Sequence, residues 1–102
     1  MVKEYTDIER YALFFILMRI MEADYIIDER EKILLNRLFV EFEIKEYEIS
    51  IISNMEQRQC ELIIKEMESS KKEFAVSLFN KMAMADNVLD SRELAIIERI
   101  LR

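Results

Sequence analysis

The chain has 102 residues, 52% of them hydrophobic and 35% charged, with neither glycine nor proline. That fits a single domain whose core needs no disulfide or metal, and it argues against a β-sandwich, whose tight hairpins depend on glycine or asparagine at positive φ. The net charge of −6 argues against nucleic acid and anionic membranes as partners, since both select basic patches.

One cysteine, Cys60, and no histidine leave no internal disulfide and no usual structural zinc site. Cys60 shares a helical apolar pattern with Ile63, Ile64 and Met67, which reads as a buried, inert thiol. The opening stretch, Met1 to Asp7, is polar and does not read as a signal peptide. The longest apolar run, Tyr11 to Met18, stops at Arg19 and is too short to span a bilayer. No direct membrane insertion is expected, and the cytoplasm is the expected location.

The predicted elements begin with a capping box, Thr6 with Glu9 three residues on, opening a helix from about Asp7 to Glu22. That helix is apolar nearly all round between Tyr11 and Met18, so it is either central in the fold or covered by a partner. A short loop, Ala23 to Ile27, precedes a second helix opened by another capping box, Asp28 with Glu31. Its expected buried stripe is Ile33, Leu34, Leu38 and Phe42, widened by Leu35 and Phe39. Ile44, Tyr47, Ile51 and Met55 have helical spacing. Ile49, Ile51 and Ile52 also favour strand, but no pairing strand is evident, so a helix is predicted. A fourth helix spans roughly Glu56 to Glu68. Ser70 with Glu73 makes a third capping box, and a long helix follows to about Met84 with Phe74, Leu78, Phe79 and Met82 inward. After a loop, Ala85 to Leu89, a last helix starts near Asp90 and buries Leu94, Ile97, Ile100 and Leu101. The fold expected is a compact all-α bundle of about six helices.

Overlaying the two ends at an offset of 62 reveals a repeat. Ala23, Asp24, Asp28, Arg30 and Glu31 recur as Ala85, Asp86, Asp90, Arg92 and Glu93, while Ile27, Leu38 and Leu17 correspond to Leu89, Ile100 and Phe79. Two helix–loop–helix units, about 7–42 and 71–102, are therefore expected to pack with approximate two-fold symmetry, joined by a helical segment. Each unit carries the pattern D-x-x-x-D-x-x-E. The excess of acid is local: residues 24–48 hold eight acids against four bases, or −4 of the −6.

Each acidic loop admits two readings. In one, Asp28 and Asp90 are N-caps, Glu31 and Glu93 complete the capping boxes, and Asp24 and Asp86 accept bonds from loop amides. In the other, Asp24, Asp28, Glu31, Asp86, Asp90 and Glu93 form a hard-oxygen site for calcium, magnesium or manganese, if the two loops meet at one end of the domain. Neither loop is an EF-hand, which needs a D-x-D-x-D-G run. Arg30 and Arg92 recur at matching places and could neutralise the carboxylates instead.

At these residues the sequence resembles the TerB-like family, named for tellurite-resistance proteins and related to the N-terminal domain of a membrane-anchored DnaJ-type co-chaperone. The family pattern is Ala-Asp-Gly, a hydrophobic residue, then an acidic helix start with Glu. Here it reads Ala23-Asp24-Tyr25-Ile26-Ile27-Asp28-Glu29-Arg30-Glu31, and again Ala85-Asp86-Asn87-Val88-Leu89-Asp90-Ser91-Arg92-Glu93, with Tyr25 and Asn87 at the glycine position. The resemblance covers nearly the whole chain, as one domain over 1–102. It implies an α-helical fold, an acidic metal-binding role and participation in bacterial or phage stress-response complexes, and it implies no enzymatic activity.

Two functions are thus expected to compete. One is a non-enzymatic module binding a divalent cation through its paired acidic loops. The other is a metal-free scaffold that docks a protein partner or self-associates through apolar helix surfaces. Hydrolase chemistry on the carboxylates has least support, because nothing marks a nucleophile or substrate pocket.

Overall fold

The structure, a computed structural model, describes residues 5–22, 29–84 and 91–101, the last span without the side chains of 91–93. The described residues form six helices: α1 (Asp7–Glu22), α2 (Glu29–Glu41), α3 (Glu46–Ser53), α4 (Gln57–Lys65), α5 (Ser69–Ala83) and α6 (Ser91–Leu101). No strand occurs among them. The radius of gyration, 12.5 Å, is close to the roughly 13 Å of a compact domain of this length.

Helix α1 is the axle of the bundle. Ala12 to Leu17 are buried without a break, followed by Ile20 and Met21. A helix buried on all sides needs neighbours on all sides, and α1 contacts each of the other five helices. The chain itself covers the apolar run, so this helix gives no ground for self-association. Helix α5 lies against α1, α2, α4 and α6. Phe14 of α1 stacks on Phe39 and meets Phe42 edge-on, at centroid distances of 5.1 and 5.4 Å. Phe42 also touches Tyr5 and Phe74, joining α1, α2 and α5 through one aromatic cluster.

The helix ends follow local chemistry. At α1 the capping box forms in both directions: the Thr6 amide donates to Glu9 Oε1 (2.9 Å) and the Glu9 amide to Thr6 Oγ1 (3.2 Å). At α5 the expected Ser70–Glu73 box gives way to Glu68, the N-cap, whose carboxylate accepts from the Ser70 amide and hydroxyl. Helix α2 ends in a Schellman motif, with the Ile44 amide donating to the Phe39 carbonyl (2.9 Å) and Glu43 to Val40 (3.1 Å). The residue that turns the chain there is Glu43, at φ 55°, a position where glycine is usual.

The inward faces correct the expected stripes at several positions. On α2 the buried residues are Glu31, Leu35 and Leu38, continued by Phe42 just past its end, and Ile33 is 55% exposed. Ile33 lies about 200° around the helix from Glu31 and from Leu35, so both cannot share the core face. On α3, Glu48 and Ile52 turn inward while Tyr47 and Ile51 face solvent, a rotation of one residue from the apolar spacing. On α6, Ile96, Ile97 and Ile100 are buried, Leu94 is half-buried and Leu101 is exposed. Cys60, Ile64 and Met67 are buried as expected.

Candidate functional site

Of the six carboxylates singled out in the acidic loops, Asp24, Asp28, Asp86 and Asp90 lie outside the described residues, as does the Glu93 side chain. Whether the two loops meet is outside them too. Glu93 belongs to α6, four residues before Ile97. Only Glu31 is described in full, and it is wholly buried in the first turn of α2. The spacing 31, 35, 38, 42 explains why: Glu31 occupies the core register of its helix, in line with Leu35, Leu38 and Phe42. Among the described residues no group of three or more His, Cys, Asp or Glu side chains could hold a metal ion.

A second buried acid, unremarked in the sequence, sits at the start of α3. Glu48 accepts the Tyr11 hydroxyl at 2.5 Å, the Lys45 amide at 2.8 Å and the Arg10 guanidinium at 3.4 Å. Arg10 also donates to Asp7 (2.8 Å) and to the Phe42 carbonyl (3.0 Å). This network ties the start of α1 to the end of α2 and the start of α3. The Tyr11 hydroxyl, the Lys45 amide and Arg10 together hold the Glu48 carboxyl below its ordinary range against the effect of burial. In return, its bond to Glu48 pushes the Tyr11 phenol up to about 12. Lys45-x-x-Glu48 is a reciprocal capping spacing and was the one local signal for this acid.

Across the bundle, Lys71 pairs with Glu9 at 3.0 Å, and the Tyr5 hydroxyl donates to the Lys71 carbonyl at 2.9 Å. Positions 9 and 71 are equivalent at the repeat offset of 62, so the ion pair links matching places at the starts of α1 and α5. Burial raises the Glu9 carboxyl, but the Thr6 amide and Lys71 outweigh it and leave it below its ordinary range. Burial, then Glu9 and Glu68, push the Tyr5 phenol up to about 12. Burial, with Glu61 second, pushes the Cys60 thiol up to about 11.

A third arrangement lies between α4 and α6. Gln57, Arg58, Glu61, Leu62, Lys65 and Arg99 line an open groove of about 550 Å³. Arg99 donates Nε and a terminal nitrogen to Glu61, at 3.1 to 3.3 Å, bridging the two helices. The sequence signal here was Arg58, Leu62 and Lys65 at helical spacing, outweighed by the acid surplus elsewhere.

Compared with known proteins, the chain matches no family model, no curated protein and no solved structure. No helix among the described residues is long and apolar enough to cross a membrane.

Proposed function

We propose that the chain is a non-enzymatic recognition module, acting through its surface and not by turnover. One observation carries this reading: among the described residues, the shifted carboxyls and the shifted thiol are tuned away from catalysis. A general acid needs a carboxyl raised towards neutrality, yet Glu9, Glu48 and Glu68 are all lowered and so held ionised. A nucleophilic cysteine needs a lowered, accessible thiol, yet Cys60 is buried and raised. The TerB-like resemblance points the same way and adds a stress-response setting. Turnover of generic ester, phosphate or peptide substrates that Glu48→Gln abolishes without loss of folding would overturn the reading.

Within it, the acidic loops have two roles in contention. As caps they start α2 and α6. As a site, Asp24, Asp28, Asp86 and Asp90 would supply hard oxygen ligands to calcium, magnesium or manganese, leaving the module cation-responsive. The enclosed position of Glu31 suits a structural acid in either case, at the root of the loop and not at its rim. A cation bound only by the folded state raises the melting temperature. Millimolar calcium, magnesium or manganese should therefore stabilise the wild type and leave Asp24→Asn/Asp86→Asn unaffected. An unchanged wild-type melting temperature assigns these residues to capping and the protein to a metal-free scaffold.

A further inference from the structure

We propose that the groove between α4 and α6 is the docking site for an acidic, amphipathic helix of a partner protein, with Leu62 as its apolar anchor and Arg58, Lys65 and Arg99 as its charge readers. The inference rests on the reading of the chain as a recognition module and names the chemistry of its partner.

The argument starts from sign. The chain carries −6, yet this groove is lined by three cations and one acid. Glu61 is taken up by Arg99, whereas Arg58 and Lys65 form no ion pair among the described residues. Two uncompensated cations beside a fixed guanidinium give a local field opposite to that of the molecule, which steers an anionic partner to this face in preference to the rest.

Spacing then selects the partner. Arg58, Leu62 and Lys65 stand at i, i+4 and i+7 on α4, one stripe of the helix surface. Leu62 is 50% exposed in the middle of that stripe. Arg58 and Lys65 are separated by about 10 Å along the axis, at 1.5 Å per residue. A helix carrying carboxylates two turns apart with an apolar residue between them matches all three positions at once, the helix-in-groove mode of peptide recognition. A small inorganic anion would leave Leu62 uncovered. A nucleic acid would meet the net negative charge outside the groove.

The experiment uses the full chain and a fluorescein-labelled helical peptide bearing glutamates seven residues apart with leucine between them. The controls are a scrambled peptide of equal charge, the same peptide with serine for leucine, and a labelled DNA duplex. Anisotropy should report saturable binding of the first peptide only, weakened by salt, since exposed charge pairs are screened within about 10 Å at 0.1 M. Leu62→Ser and Arg58→Glu/Lys65→Glu should each weaken it by about tenfold or more, that is about 1.4 kcal/mol. Their circular dichroism should match the wild type and their melting should stay close to it, because Arg58 and Leu62 are exposed and Lys65 is half-buried at the last position of α4. Equal binding of all three peptides, indifference to both variants, or preference for the duplex would each overturn the proposal. So would concentration-dependent dimerisation abolished by the same variants, which would assign the groove to a second copy of the chain. Loss of peptide binding with no turnover refutes the groove alone; turnover refutes the module reading on which it rests.

Discussion

Replacing Tyr11 by phenylalanine removes one oxygen and tests the principal polar joint of the fold. The phenol donates to Glu48 at 2.5 Å, and Glu48 is 5% exposed. A hydrogen bond to a charged group contributes about 1.5–3 kcal/mol, and leaving a buried acceptor short of a donor forfeits that amount. Tyr11 is half-buried, so water can replace part of the loss, which places the expected cost near 1.5–2 kcal/mol. At about 4–8 °C per kcal/mol for a domain of this size, the melting temperature should fall by roughly 6–16 °C. Urea unfolding followed by circular dichroism measures the difference directly. Pairing Tyr11→Phe with Glu48→Gln in a double-mutant cycle separates their coupling, expected at about 1 kcal/mol or more, from changes each makes alone. A Tyr11→Phe protein within about 0.5 kcal/mol of the wild type, the range of ordinary surface changes, would refute the account of Glu48 as a buried ion held by this network.

Other consequences can be checked with the same assays. Glu43→Gly should raise stability by up to about 1 kcal/mol, because a left-handed non-glycine residue costs roughly 1–2 kcal/mol and glycine's greater unfolded-state entropy returns part of it; a destabilised variant would contradict the Schellman assignment. Phe14→Ala should cost about 3–5 kcal/mol, the range for a large aromatic side chain removed from a core, and a milder effect in urea would mean the aromatic cluster repacks. Cys60 should be inert to a disulfide reagent in native buffer and react on unfolding; prompt native labelling would show that the thiol is accessible. For acid unfolding the sign is fixed by direction: Glu9, Glu48 and Glu68 lie below their ordinary 4.5 when folded, so the unfolded chain takes up protons first. Their stabilisation is complete above that pH and is lost as pH falls through the folded values. Glu48→Gln should flatten this loss, and an unchanged acid limb would remove Glu48 from it.

The apolar pattern was informative wherever the core alone decides. A run from Tyr11 to Met18 with no polar side cannot lie on a surface, and α1 is central for that reason. The absence of glycine and proline, with the capping boxes, announced helices, and the described residues form six. The pattern failed where an acid holds a core register. Counting only apolar residues placed Ile33 inward on α2 and set the phase of α3 by Tyr47 and Ile51. The inward positions are in fact Glu31 and Glu48. For Glu48 the Lys45 amide is a local partner, but the side-chain compensation comes from Tyr11 and Arg10, 37 and 38 residues away, and no local window can report that. The groove was missed for a related reason. Arg58, Leu62 and Lys65 lie on one helix, but Arg99 reaches them only through tertiary packing.

These acids also bear on what the negative charge is for. Glu9 and Glu48 stand in the first turns of α1 and α3, and each accepts the amide three residues before it, at Thr6 and Lys45. Glu68 does the same service for the amide of Ser70 at the start of α5. Glu31 occupies the first turn of α2. Carboxylates at helix starts meet unsatisfied amides and the positive end of the helix dipole, so this part of the acid surplus is consumed by folding. Among the described helix starts, glutamate side chains accept the free amides at α1, α3 and α5, while the described ends of α2 to α5 are closed by backbone amides. The net charge of −6 is therefore a poor guide to binding on its own account. The informative charges are those that folding leaves over, and on the described surface the cations Arg58 and Lys65, set around an exposed Leu62, are the clearest of these.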